Sequence, residues 1–322
     1  MGFSLDTDWV WDFWLADDGD LFHMFYLHAP TSLGDQHLRH RNARIGHATS
    51  VDLTHWEDHG VVLEPGAAGE FDETATWTGS VVRGSDGLWR MFYTGARFLS
   101  PESNANVETV GLATSPDLRT WTKEPGPIAV ADPQWYETLG TSDWPEEAWR
   151  DPWVFADPGG AGWHMLVTAR SRHGDARDRG VIGHATSPDL RTWTVGPPLT
   201  DPGAGFTHLE VPQVVRVDGR WLLLFSCDAA ALAGARSGGV GGVWALGIDG
   251  PLGPIDVAAA TLLADERLYS GRVIQARSGQ WVLLAFENST DEGGFVGSLC
   301  DPQPVGWSTA GLTITDPDGV PA

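Results

Sequence analysis

The chain has 322 residues, with 43 Asp and Glu against 20 Lys and Arg, a net charge of −23, and 17 Trp, 40 Gly and 21 Pro. So acidic a balance argues against nucleic acid or an anionic membrane surface as a partner, and no apolar run reaches the 18 residues of a membrane span. The opening MGFSLDTDWVWD has neither a basic n-region nor an apolar h-region, so no secretory signal is expected and a cytoplasmic location is the default.

In chain order, the apolar run WVWDFWL (9–15) is followed by Asp18-Gly19-Asp20 and LFHMFYLHA (21–29), a hairpin signal. IGHATSVDLTHW (45–56) comes next. The pattern returns as TWTGSVVRG (76–84), LWRMFYTGA (88–96) and VGLATSPDLRTW (110–121), and again as WRDPWVFAD (149–157), GWHMLVTAR (162–170) and IGHATSPDLRTW (182–193). Two further hairpins lack the full phrase: HLEVPQVVRV (208–217) with RWLLLFSCD (220–228), and YSGRVIQAR (269–277) with QWVLLAFEN (280–288). Each unit reads strand, turn, strand, loop, strand, turn, Trp and a weaker last strand. Five units in 322 residues leave about 64 residues each. The predicted fold is all-β: a single five-bladed β-propeller of four-stranded antiparallel blades over residues 1–322, with little helix. Its innermost strands should begin near 9, 76, 149, 208 and 269. Trp56, Trp121 and Trp193 recur at one repeat position and are expected to pack between blades.

Innermost strands line the axis of a propeller. Asp12, Asp151 and Glu210 lie at the starts of three of them and are expected at matching positions, facing one axis. Blade two offers Trp77-Thr78-Gly79-Ser80 there, and blade five Tyr269-Ser270-Gly271-Arg272. A lone strand carboxylate is ordinarily a turn cap or half of a salt bridge. Three that converge among Trp and Pro are costly to bury unless paired or protonated, which points to a site. Carboxylates ringed by Trp suit glycoside hydrolysis, where one acid protonates the leaving oxygen and one anion faces the ring. The catalytic candidates are therefore Asp12, Asp151 and Glu210, and the substrate-binding candidates Trp11, Trp77, Ser80, Arg150, His208 and Tyr269. Stretches 31–44, 97–109, 132–148 and 171–180 should form the rim. The basic cluster His37, Arg39, His40, Arg41 and Arg44 reads as a solvated loop, with an anionic substrate as the alternative. Cys227 and Cys300 read as buried free thiols. No metal-ligand spacing is present, and neither metal nor other cofactor is expected.

These motifs resemble a known group of enzymes. IGHATSVDLTHW (45–56) is similar to the invertase-type signature of glycoside hydrolase family 32. TWTGS (76–80) with MFYTG (91–95), RDPWVF (150–155) and LEVP (209–212) resemble its remaining motifs, in order. VWDFW (10–14) is nearer to the corresponding motif of family 68, the levansucrases. The resemblance runs from about residue 9 to about residue 290. It implies a carbohydrate substrate and retaining action on β-fructofuranosides, possibly with fructosyl transfer. Asp12 would be the nucleophile, Asp151 with Arg150 the transition-state stabiliser, and Glu210 the acid/base. The chain also departs from family 32. Asp12 lies between Trp11 and Phe13 rather than in Asn-Asp-Pro-Asn-Gly, Val211-Pro212 replaces Cys-Pro after the Glu, and Leu27 stands where Gln is usual. Too few residues follow about position 300 for the family's C-terminal β-sandwich, so none is expected. The alternatives are an inverting arabinofuranosidase or xylosidase propeller, as in families 43 and 62, and a sugar-binding propeller without catalysis.

Overall fold

The computed structural model describes residues 2–290 and 294–316. Five antiparallel sheets follow one another along the chain. Blade one is built from Asp8–Asp17, Phe22–Pro30, Arg44–Ser50 and Glu57–Leu63. Blade two comprises Ala75–Arg83, Trp89–Phe98, Asn106–Ser115 and Thr122–Lys123, with Glu146–Glu147 added parallel to its third strand. Blade three uses Trp149–Ala156, Trp163–Arg170, Gly180–Ser187 and Thr194–Gly196; blade four uses Glu210–Val217, Arg220–Cys227, Gly242–Ile248 and Thr261–Asp265. In blade five, Leu268–Gln275 and Trp281–Ser289 are followed by a third strand split into Phe295–Leu299 and Gln303–Ser308, and then by Gly311–Ile314. Pro302 falls in that split and has no N–H to give to a ladder. The helices among the described residues are short 3-10 turns, and none is long and apolar enough to cross a membrane.

The second strand of each blade lies between neighbours on both faces, so its burial is nearly continuous rather than alternating. Phe22–Pro30 is buried at every position but the last. The repeated phrase makes a turn fixed by its own side chains. Ser50 Oγ accepts from the Leu53 N–H, and Asp52 Oδ1 from those of Thr54 and His55. Leu53, Leu118 and Leu190 are thereby held at φ near +64°, a region branched residues rarely occupy, with their side chains plugged into the core. Trp121 of blade two then packs edge-on against Phe25 of blade one, and Trp193 of blade three against Phe92 of blade two. The ring closes where the Leu299 N–H donates to Phe3 O at 2.8 Å and Trp9 meets Phe295. Cys227 and Cys300 are buried free thiols.

Candidate active site

Every innermost strand carries one extra residue where it crosses the ring. Ladder pairing slips between Trp11 and Phe13, Trp77 and Gly79, Arg150 and Trp153, Glu210 and Gln213, and Tyr269 and Arg272. A bulge lets two successive residues face the same side and re-aims them. The register groups Trp11, Trp77, Arg150, Glu210 and Tyr269 as one position, and Asp12, Thr78, Asp151, Val211 and Ser270 as the next. This corrects the expectation of three matching carboxylates. Asp12 and Asp151 are equivalent, but Glu210 sits one place earlier, level with Arg150 and Tyr269. Asp151, Val211 and Ser270 all adopt φ between +50° and +58°.

Asp12 accepts from Thr78 Oγ1 at 2.5 Å and from Ser270 Oγ at 2.6 Å, so blades two and five orient it. Burial raises its pKa; the two hydroxyls and Arg272 oppose that, and Glu210 adds to it. Asp151 Oδ2 accepts from Thr168 Oγ1 at 2.7 Å and from the Val211 N–H at 3.1 Å. Burial pushes Asp151 up to about 7 against the pull of Arg150, helped by the charges of Asp12 and Glu210. Beneath them Arg272 is buried, donating to the carbonyls of Val211 and Pro212.

Glu210 is held from two sides. Arg150 Nη2 donates to its Oε1 at 2.7 Å, and the Tyr269 hydroxyl donates to its Oε2. Burial works to raise Glu210, but the charges of Arg150 and His208 and these bonds hold it below its usual value. The same guanidinium donates through Nη1 to Glu108 Oε2 at 2.9 Å and to Glu146 Oε1 at 3.3 Å, and its Nε stands 3.6 Å from Asp151 Oδ2. One arginine thus serves four carboxyls. His208 Nε2 approaches Glu146 Oε1 at 2.8 Å. Behind this wall Arg170, held by Glu137 at 2.6 Å, stacks on Trp144.

All of this opens into a cavity of about 510 Å³. Trp11, Trp77, Arg150 and Tyr269 line it together with Asp12, Asp151 and Glu210. His208, expected as a substrate contact, does not line it but stands against Glu146, which does. Ser80 does not take part. It is buried, and its Oγ accepts from the Val154 N–H at 3.0 Å, tying blade two to blade three, which corrects its assignment as a substrate contact. The rim uses residues from 31–44, 97–109 and 132–148, but 171–180 does not reach the cavity. The basic loop is only partly solvated. Arg39 lies over Phe295 at 4.0 Å and near Trp11, Arg41 lies over Phe98 at 4.1 Å, and Trp77 Nε1 donates to His40 O. Leu27 also lines the cavity. Thr78 and Ser270 stood in segments already marked as channel-lining, but their bonds to Asp12 were not foreseen. Glu108 and Glu146 lie in stretches expected at the rim, but nothing singled out either residue, because neither lies on an innermost strand.

A larger cavity, about 700 Å³, lies against the third and fourth strands of blade two, between Phe71, Arg97 and Lys123. Its Asp72 is already paired, with Lys123 at 2.5 Å and the Tyr93 hydroxyl at 2.9 Å.

Residues 15–240 match the family described as glycosyl hydrolases family 32 N-terminal domain. Asp151 and Glu210 fall inside the match, and Asp12 lies just before it. The chain is 28% identical over 303 residues to a raffinose invertase of Escherichia coli, covering 86% of this chain and 56% of that protein. It is 29% identical over 241 residues to a sucrose-6-phosphate hydrolase of the same organism, covering 71% and 44%. The chain thus spans about half the length of these relatives. Among solved structures, an inulosucrase from Halalkalicoccus jeotgali bound to kestose superposes with a TM-score of 0.79 at 22% identity, covering 97% of this chain and 88% of that one. The catalytic domain of a Microbacterium saccharophilum β-fructofuranosidase gives 0.76 at 18% identity, covering 100% and 84%. At these identities the two structures establish the fold.

Proposed function

The chain belongs to glycosyl hydrolase family 32, and we propose that it cleaves β-fructofuranosides with retention of configuration. The observation that carries this reading is the convergence of Asp12, Asp151 and Glu210 on one cavity walled by Trp11, Trp77 and Tyr269. Asp12 attacks the anomeric carbon of a bound fructosyl unit and forms an ester while the bond to the leaving oxygen breaks. The hydroxyls of Thr78 and Ser270 aim its carboxylate and favour the anion. Glu210 protonates the leaving oxygen, then takes a proton from water or an acceptor sugar that releases the ester. At rest Glu210 is an anion clamped by Arg150. A sugar whose hydroxyls engage Arg150 draws that cation away, and burial then raises the carboxyl so that it holds the proton it must give. Asp151, braced by Thr168 and Val211, binds ring hydroxyls whose bonds strengthen at the transition state.

Family membership favours this reading over the inverting arabinofuranosidase alternative. The test is an NMR time course on sucrose, sucrose 6-phosphate, raffinose, inulin, levan and an aryl arabinofuranoside. The expected result is fructose released first as the β-anomer, with transfer to added methanol. Retention also requires the Asp12 and Glu210 carboxyls to lie roughly 5 to 5.5 Å apart in a sugar complex, against roughly 6.5 to 9.5 Å for inversion. An inverted first product without any transfer would overturn the mechanism.

A further inference from the structure

The third strand of blade two, Asn106–Ser115, sends two side chains into the cavity that the reaction above does not use. Asn106 and Glu108 are two residues apart and so share one face of the strand. Asn106 is 3% exposed and Glu108 0%. Each has one oxygen with no hydrogen-bond partner among the described residues, Asn106 Oδ1 and Glu108 Oε1. Their other ends are fixed: Asn106 Nδ2 donates to Asn104 O at 3.0 Å, and Glu108 Oε2 accepts from Arg150. The backbone is fixed too. Asn106 pairs with Glu146 in parallel register, and its N–H donates to Pro145 O at 3.3 Å. Buried oxygens left unpaired are rare and call for an explanation. These two cannot turn elsewhere without breaking the bonds that hold them.

We propose that Asn106 and Glu108 bind hydroxyl groups of the leaving sugar, and of an acceptor sugar during transfer, on the Arg150 side of Glu210. This rests on Glu210 being the acid/base. Arg150 reaches Glu108 with Nη1 and Glu210 with Nη2, so Glu108 lies one guanidinium away from the group that protonates the leaving oxygen. Asp12 is anchored elsewhere, between Thr78 and Ser270. The fructosyl ring must reach Asp12, and what departs lies beyond Glu210. On the other flank of Glu210, Tyr269 already spends its hydroxyl on the carboxylate, and Asn288 Nδ2 is bonded to Glu266 O. The ligand chemistry follows from the two oxygens. Asn106 Oδ1 can only accept. Burial pushes Glu108 up to about 8 against the pull of Arg150, so near neutral pH its free oxygen carries a proton and donates. A sugar offers hydroxyls, which do both; a cation or an anion would suit only one of the pair.

The experiment compares sucrose with β-fructosyl fluoride, which delivers the same fructosyl unit but has a leaving group without hydroxyls. For Asn106→Leu and Glu108→Met, kcat/KM on sucrose should fall about tenfold more than on the fluoride, as expected for one lost buried hydrogen bond, whereas Glu108→Gln, which keeps one acceptor and one donor end like the protonated acid, should retain the wild-type ratio. The ratio of transfer to hydrolysis at fixed sucrose should fall with it. Asn106→Ala, which leaves space rather than filling it, guards against a folding failure of the leucine variant, and melting curves identify any such failure. Equal losses on both substrates, or none on either, would overturn the proposal alone. A wild-type protein inert towards both fructosides would remove the fructosidase reading and this proposal with it.

Discussion

Arg150 Nη2 lies 2.7 Å from Glu210 Oε1, joining the inner strands of blades three and four across the cavity. The contact arises because the two residues occupy the same place in adjacent bulges. It keeps Glu210 ionised, while burial drives Asp12, Asp151 and Glu108 towards their neutral forms. Glu108, Glu146, Asp151 and Glu210 share that one cation, and where its pull falls short, at Asp151 and Glu108, protonation relieves the repulsion.

Replacing Arg150 with Gln should release Glu210. Arg150 lowers that carboxyl, so its loss raises it. A general acid works while protonated, so the alkaline limb of kcat/KM should move to higher pH. Activity at the optimum should fall about a hundredfold, since the hydroxyl contacts go as well. A pH–rate profile with an unmoved alkaline limb would show that some other group controls it.

Asp12→Asn and Glu210→Gln should each lower turnover by about a thousandfold or more while melting within a few degrees of the wild type. Both keep side-chain volume and delete only the nucleophile or the transferable proton. Losses below about tenfold in steady-state assays would show the pair was wrongly chosen.

Thr78→Val removes one of the two hydroxyls that favour the Asp12 anion without changing its shape much. The Asp12 pKa should rise. A nucleophile works while ionised, so the acidic limb of the activity profile should move to higher pH, with kcat reduced about tenfold.

Asp151→Asn should be nearly inactive yet more stable at pH 8. Burial raises Asp151 from 3.8 to about 7, so the folded state prefers the protonated form. The stability this group contributes is full below about 3.8 and is lost as pH rises through 7. The asparagine escapes that loss, and denaturant melts should show a gain on the order of 2 kcal/mol at pH 8 that vanishes by pH 4.

In blade one, His23 Nδ1 and His47 Nε2 lie 2.9 Å apart and His23 Nε2 contacts Asp18; blade three repeats the pair with His164 and His184. Burial, then the neighbouring His23 and His59, lower His47 from 6.5 to about 3. A depressed histidine contributes stability above its unfolded pKa and loses it as pH falls from 6.5 towards 3. His47→Leu, which copies Leu112 of blade two, should flatten the fall in stability between pH 6.5 and pH 4. An unchanged slope in acid denaturation would place the titrating group elsewhere.

The fold was legible because its signals are local. Apolar runs, turn residues and the Ser-x-Asp-Leu phrase act within about a dozen residues, and they placed all five inner strands within two residues of where each begins. That Asp12, Asp151 and Glu210 meet in one cavity was legible for the same reason, since each stands out from its strand. What those residues touch was not. Ser270 bonds Asp12 across 258 residues, and Glu108 meets Arg150 across 42. A bulge shifts the ladder by one residue, which decides whether a neighbour faces the axis or the next blade. That shift set Glu210 level with Arg150 and Tyr269 and brought Thr78 to Asp12, while Ser80 was left in a blade junction. Propensity and pattern report which face a residue prefers. Only closing the ring, which brings five distant strands to one axis, decides which partners it finds there.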